Sequence, residues 1–146
     1  MQLKLRNYNS ESGHVDEMVS NTFDMSAMDT IFVSYKWAYA NRVNTTDDRL
    51  RISSSGDCGD SWTLNRIRKG TTTLPTATAT NVAFTPTAID QWNGETLTLT
   101  SDAFMTNHYQ LKFEFIFTLT RLTIARGSYF VIACFIARAI SLSSSS

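Results

Sequence analysis

The sequence predicts an all-β sandwich, and three observations carry that prediction. Ile31, Val33, Tyr35, Trp37 and Tyr39 occupy alternate positions, with Phe32, Ser34, Lys36, Ala38 and Ala40 between them. A period of two over that length marks a strand with one buried face. Leu111, Phe113, Phe115 and Phe117 repeat the pattern against Lys112 and Glu114. Charged residues make up 18% of the chain, below the usual share of about 25%. Thr and Ser take their place, which suits strands and turns better than helices.

The other elements follow in order. Residues 3–6 alternate as a short strand, and 7–13 form a polar turn. Residues 15–19 read as a strand leading to Phe23. Asp24, Met25 and Ser26 make a turn, because Asp and Ser bond readily to nearby backbone amides. Residues 29–40 are the strongest strand, and 41–48 a polar loop. Residues 49–53 form a strand with Leu50 and Ile52 inward. Gly56 and Gly59 turn the chain within 54–60. Residues 62–68 are a strand with Trp62, Leu64 and Arg66 on one side. Residues 70–87, with Pro75 and Pro86, lack a helical period and read as a long loop. Residues 92–100 alternate again, with Leu97 and Leu99 on one face. Residues 101–108 are a turn or short helix before the strand at 109–117. Several short strands without a long helix point to a sandwich.

Composition excludes some functions. At 146 residues the chain is long enough for one domain with a real core. Its 13 basic and 13 acidic residues cancel, so a nucleic-acid partner is not expected. The apolar run over residues 129–137 is far shorter than the roughly 20 residues that span a bilayer. A transmembrane segment is therefore not expected. No signal peptide opens the sequence; if the domain is secreted, the signal lies upstream. Cys58 and Cys134 could form one disulfide, which the sequence leaves open.

Five motifs, in order, resemble a known module. SGHVDEMVSNTFDMS is similar to SGDVDELISPxFDLS, and VSYKWAYANR to LxFDYAYAxR. DDRLRISSSGDCGDSWTLNRIRKG is similar to SDRLxVxVSTDCGxTWTxLxxKxG. QWNGETLTLTSDAF and HYQLKFEFIF resemble the xWRxExVDLSAY and VxxRFxF strands that follow. The pattern is that of MAM-like and cleaved-adhesin-like jelly-roll modules of secreted Bacteroidetes proteins, often found beside pappalysin-like metalloproteases. The resemblance covers about residues 3–117. It implies an incomplete jelly-roll β-sandwich, lacking its first strands, over residues 1–117. Residues 118–140 depart from the pattern: they carry Arg121, Arg126 and Arg138, no acid, and an unbroken apolar run. We expect an atypical segment there, able to form a β-hairpin around Arg126, Gly127 and Ser128. A disordered Ser-rich tail over residues 141–146 is expected after it.

Candidate chemistry is sparse. His14 and His108 stand far apart, and no H-E-x-x-H places two histidines on one helical face. Neither has a visible nucleophile partner, and the Ser53–Ser55 run lacks a G-x-S-x-G setting. Enzyme activity is therefore not expected. Cys58, between Asp57 and Gly59, reads as a turn residue packed under Trp62 rather than a metal-binding thiol. Asp16, Glu17 and Asp24, and the loop acids Asp47, Asp48, Asp57 and Asp60, are hard oxygen donors of the kind Ca²⁺ takes. Related jelly rolls hold structural Ca²⁺. The resemblance therefore implies Ca²⁺ as the one candidate cofactor, with Asp16 and Glu17 as its first ligands. The competing reading is solvated loop charge, or Asp48 paired with Arg49 or Arg51. Trp37 and Trp62 read as core. Trp92, beside Asp90 and Asn93-Gly94, is the tryptophan expected to be exposed and the candidate for stacking on a sugar ring. Asn44-Thr45-Thr46 is a sequon that reads as polar loop.

The expected function is that of a non-catalytic accessory or adhesion module of a larger secreted or cell-surface protein, binding carbohydrate or protein. Two alternatives stand beside it. One is an inert flanking domain of a secreted zinc metalloprotease. The other is a structural subunit that self-associates edge to edge through open strands.

Overall fold

The computed structural model describes residues 2–6, 13–41, 47–80, 82, 84–118 and 129–140, the first and last stretches as backbone. Among the described residues eight strands run in sequence: β1 (Gln2–Arg6), β2 (Val15–Val19), β3 (Thr30–Ala40), β4 (Arg49–Ser55), β5 (Thr63–Lys69), β6 (Asn93–Leu99), β7 (Gln110–Ile116) and β8 (Tyr129–Ile140). They form two antiparallel four-stranded sheets of order β1-β8-β3-β6 and β2-β7-β4-β5. Eight strands shared in this order between two sheets make a jelly roll. The fold is the all-β sandwich that the alternating pattern predicts.

The alternation explains the core. Ile31, Val33, Tyr35, Trp37 and Tyr39 are buried from the first sheet. Leu50, Ile52, Leu111, Phe113 and Phe115 meet them from the second. Tyr35 packs edge-on to Phe113 with ring centroids 5.7 Å apart. Tyr39 approaches Phe115 at 6.0 Å. Aromatic pairs at this spacing add to the gain from buried area.

Several local features differ from the sequence reading. Tyr129–Ile140 is a single strand lying between β1 and β3. It pairs with β3 along nearly its whole length, with an irregularity opposite Tyr35. The turn proposed at residues 126–128, the tail at 141–146 and the sequon at Asn44 lie outside the described residues.

In β5 the register shifts between Ile52 and Ser53 of the neighbouring strand. The shift separates Leu64 from Arg66: Leu64 is exposed, while Arg66 reaches Glu95 of the other sheet. They therefore do not share a side.

Asp48 pairs with neither Arg49 nor Arg51. It is fully buried and accepts hydrogen bonds from the Tyr39 hydroxyl at 2.7 Å and the Thr118 amide at 2.9 Å. Asp47 is the residue that holds Arg49.

The long loop from residue 70 to 92 has a packing role. Beside β3 it supplies a parallel bridge from Ala77 to Ala40. The Thr76 amide donates to the Tyr39 carbonyl at 2.8 Å. The loop begins pairing where β6, which ends its pairing at Trp37, leaves off. Phe84 then covers Ala38 and Ala40, with Ala77 and Trp92 packed against them.

Candidate binding face

The second sheet turns one face to the core and the other outward. Register places its outward residues in three rows. Val15, Ile116, Arg49 and Lys69 form the first row, and Glu17, Glu114, Arg51 and Ile67 the second. Val19, Lys112, Ser53 and Leu64 form the third. Val15, Val19, Leu64 and Ile67 at the margins are exposed aliphatic residues. The centre is ionic.

Glu17 and Glu114 stand directly opposite each other, an arrangement that repels unless a cation intervenes. Lys112 supplies one. Its Nζ lies 3.7 Å from Glu17 and 3.5 Å from Glu114. Arg51 approaches Glu114 from the other side at 3.8 Å. Glu114 is thus outward-pointing as its strand position requires, yet buried among these neighbours. Lys112 Nζ also sits 4.6 Å from the centroid of the Trp62 ring, within reach of a cation–π contact.

The turn between β4 and β5 fixes Trp62. The Asp60 amide bonds back to the Asp57 carbonyl at 3.3 Å. Both central residues, Cys58 and Gly59, have positive φ, 60° and 90°. That is the conformation of a tight hairpin turn, natural for glycine and costly for cysteine. A Cβ on Gly59 would come within 3.3 Å of the Trp62 ring. Gly59, rather than Cys58, therefore lies against the tryptophan, and Cys58 is a free, exposed thiol.

The carboxylate of Asp57 gathers the turn. It accepts from the Ser55 hydroxyl at 2.6 Å and from the Ser61 amide at 3.0 Å. The Ser61 hydroxyl donates to it as well. These donors, Ser55 first, hold the Asp57 carboxyl down at about 2.

A second polar cluster lies where the two sheets meet at β5 and β6. Glu95 accepts from Arg68 at 2.6 Å and Arg66 at 2.9 Å, and from the Tyr35 hydroxyl. The Arg68 guanidinium stacks on Trp37, 4.2 Å from the ring centroid. Trp37 in turn donates its indole N–H to the Leu74 carbonyl. Burial pushes the Glu95 carboxyl up, but hydrogen bonds from Tyr35 and Arg68 and the charges of both arginines outweigh it. The net effect holds the carboxyl below its ordinary value. Burial, then the hydrogen bond to Glu95, pushes the Tyr35 phenol well above its ordinary value. Carboxylate and phenol therefore stay charged and neutral respectively, as an inter-sheet clasp requires.

The residues first considered for calcium are not brought together. Asp16 and Glu17 are consecutive on β2, so their side chains leave opposite faces. Asp16 contacts the His14 ring at 3.0 Å, and Glu17 lies beside Lys112. Among the described residues no group of three or more His, Cys, Asp or Glu is placed to share a metal. Trp92 is half-buried against the Ala38–Ala40–Phe84 cluster. Sequence reasoning assigned Trp62 to the core. The structure places it just before β5, beside Lys112 on the outward face of the sheet.

Comparison with models of known protein families and with curated proteins finds no match. No helix among the described residues is long and apolar enough to cross a membrane.

Proposed function

We propose that the chain is a non-catalytic adhesion module of a larger secreted protein, binding its partner through the outward face of the β2-β7-β4-β5 sheet. One observation carries this reading. Four exposed aliphatic side chains, Val15, Val19, Leu64 and Ile67, frame an ion-paired centre of Glu17, Lys112, Glu114 and Arg51. A rigid sheet with apolar contacts around fixed charges is suited to recognition of another surface. The five motifs similar to MAM-like and cleaved-adhesin-like modules support the same reading.

The aliphatic frame favours protein over carbohydrate. Sugar rings are held by stacking on exposed aromatic faces, and the one tryptophan on this face already stacks with Lys112. The test is a pair of binding screens, one on a glycan array and one on extracellular protein ligands, with a Leu64→Asp and Ile67→Asp double variant as control. Saturable protein binding lost in the variant supports the proposal. Turnover of casein or glycosides by the purified chain contradicts it.

A further inference from the structure

The two outer edges of the β2-β7-β4-β5 sheet are built differently. At the β5 edge the backbone is already used or distorted. The Lys69 amide bonds to the Thr73 hydroxyl at 2.9 Å, and the Lys69 carbonyl accepts from the amides of Thr72, Thr73 and Leu74. The register irregularity falls in the same strand, beside Leu64. Arg66, Arg68 and Lys69 add like charge. Bulges and basic residues are the usual means of keeping an edge from pairing.

The β2 edge has none of these guards. Its sequence, VDEMV, contains no Pro, Gly, Lys or Arg. It pairs regularly with β7 on one side, and among the described residues no strand lies on the other. The Ser20 amide donates to the Leu111 carbonyl, and the Phe117 amide to the His14 carbonyl, both at 2.9 Å. Bonded residues alternate in an antiparallel ladder. The N–H and C=O groups of Val15, Glu17 and Val19 therefore point away from β7, to the open side. Val15 and Val19 are 42% and 45% exposed, and the Glu17 side chain is 49% exposed.

We propose that the β2 edge accepts an extended segment of a partner protein as an added strand, one whose every second residue reads aliphatic, Lys or Arg, aliphatic, so that all three fall on the face of Val15, Glu17 and Val19. Backbone groups of Val15, Glu17 and Val19 supply the ladder. Aliphatic residues of the segment lie beside Val15 and Val19, and the cation between them on the same face meets Glu17. Strand addition draws affinity from main-chain hydrogen bonds and specificity from the alternate side chains. The opposite edge is basic, so charge directs such a segment to β2. This inference rests on the reading of the chain as a protein-binding module and names the segment it takes.

The experiment uses the full chain and a blocked, fluorescent peptide Thr-Val-Thr-Lys-Thr-Val-Thr, whose valines and lysine share one face, with the lysine replaced by glutamate in the control. Fluorescence anisotropy is expected to show the basic peptide binding at least about tenfold more tightly, with the difference shrinking in high salt. Glu17→Lys should remove that preference. Glu17→Pro should abolish binding while the chain keeps its melting transition, because the Glu17 N–H makes no ladder bond to β7 and proline is tolerated on an edge. Equal binding of both peptides, no binding, or binding unchanged by Glu17→Pro overturns the proposal. Self-association of the chain that Glu17→Pro abolishes also overturns it, since the edge would then serve a second copy. A protein ligand found by screening that ignores Glu17→Pro but is lost in the Leu64→Asp and Ile67→Asp variant sinks this edge and leaves the module reading standing.

Discussion

Replacing Glu95 with Gln should cost about 2 kcal/mol of folding stability. The side chain ties β6 of one sheet to β5 of the other, through Arg66, Arg68 and Tyr35. Removing one partner of a fully buried ion pair costs about 3–5 kcal/mol, because the other charge is left uncompensated. Here the Arg68 side chain is 19% exposed and Arg66 45% exposed, so solvent screens part of the loss, most of it at Arg66. Arg68 carries most of the effect, because its Nε already lacks a hydrogen-bond partner. For a chain of this length the loss corresponds to a fall in melting temperature of about 6–8 °C.

Urea unfolding measures the cost, and a double-mutant cycle with Arg68→Met isolates the pair. The cycle should return a coupling of about 1 kcal/mol or more. The pH dependence has a definite sign. The Glu95 carboxyl is held below its ordinary value, so its contribution is complete above the unfolded pKa of about 4.3 and is lost as pH falls through the folded one. The Gln variant should therefore show a shallower loss of stability in acid. A cost under about 0.5 kcal/mol with strict additivity would refute the clasp.

Asp48→Ala should destabilise by about 3 kcal/mol in chemical denaturation, since the Tyr39 hydroxyl and the Thr118 amide lose a buried acceptor. Cys58→Gly should stabilise by up to about 1 kcal/mol, because a residue with a Cβ is held at φ 60° in the hairpin turn; a loss of stability in the melt would show that the thiol itself contributes. In an NMR titration the Asp57 carboxyl should show a midpoint of about 2; its contribution to stability should be complete above the unfolded value of about 3.9 and be lost as pH falls through about 2. Chelation by EDTA should leave the melting curve unchanged, because Asp16 and Glu17 face opposite sides and meet His14 and Lys112; a fall that added calcium restores would instead identify a metal site.

Much of the architecture could be read in the chain because one face of each sheet is buried and the side-chain period is two. Ile31 to Tyr39 and Leu111 to Phe117 declare both their strands and their inward faces in that way. β8 was harder to read. Its sequence does not alternate as those of β3 and β7 do, so the run from Tyr129 onward looks like a foreign apolar segment. Asp48 also escaped, since a loop acid next to Arg49 suggests a surface pair, and only the fold brings Tyr39 and Thr118 to it. The candidate site was legible only in part. Glu17 and Trp62 stood out as residues, but their meeting at Lys112 depends on the register of β2, β7 and β4, which no local pattern specifies. The register shift that turns Leu64 outward and Arg66 toward Glu95 is equally invisible to a period-two count.

Hydrogen exchange on the chain, free and bound to the tightest protein ligand from the screen, tests the location of the binding face most directly. The account predicts slowed exchange on binding in Val15–Val19 and Gln110–Ile116, with smaller slowing in Thr63–Lys69. Slowing confined to the loop around Trp92, or to Tyr129–Ile140 of the other sheet, would contradict it.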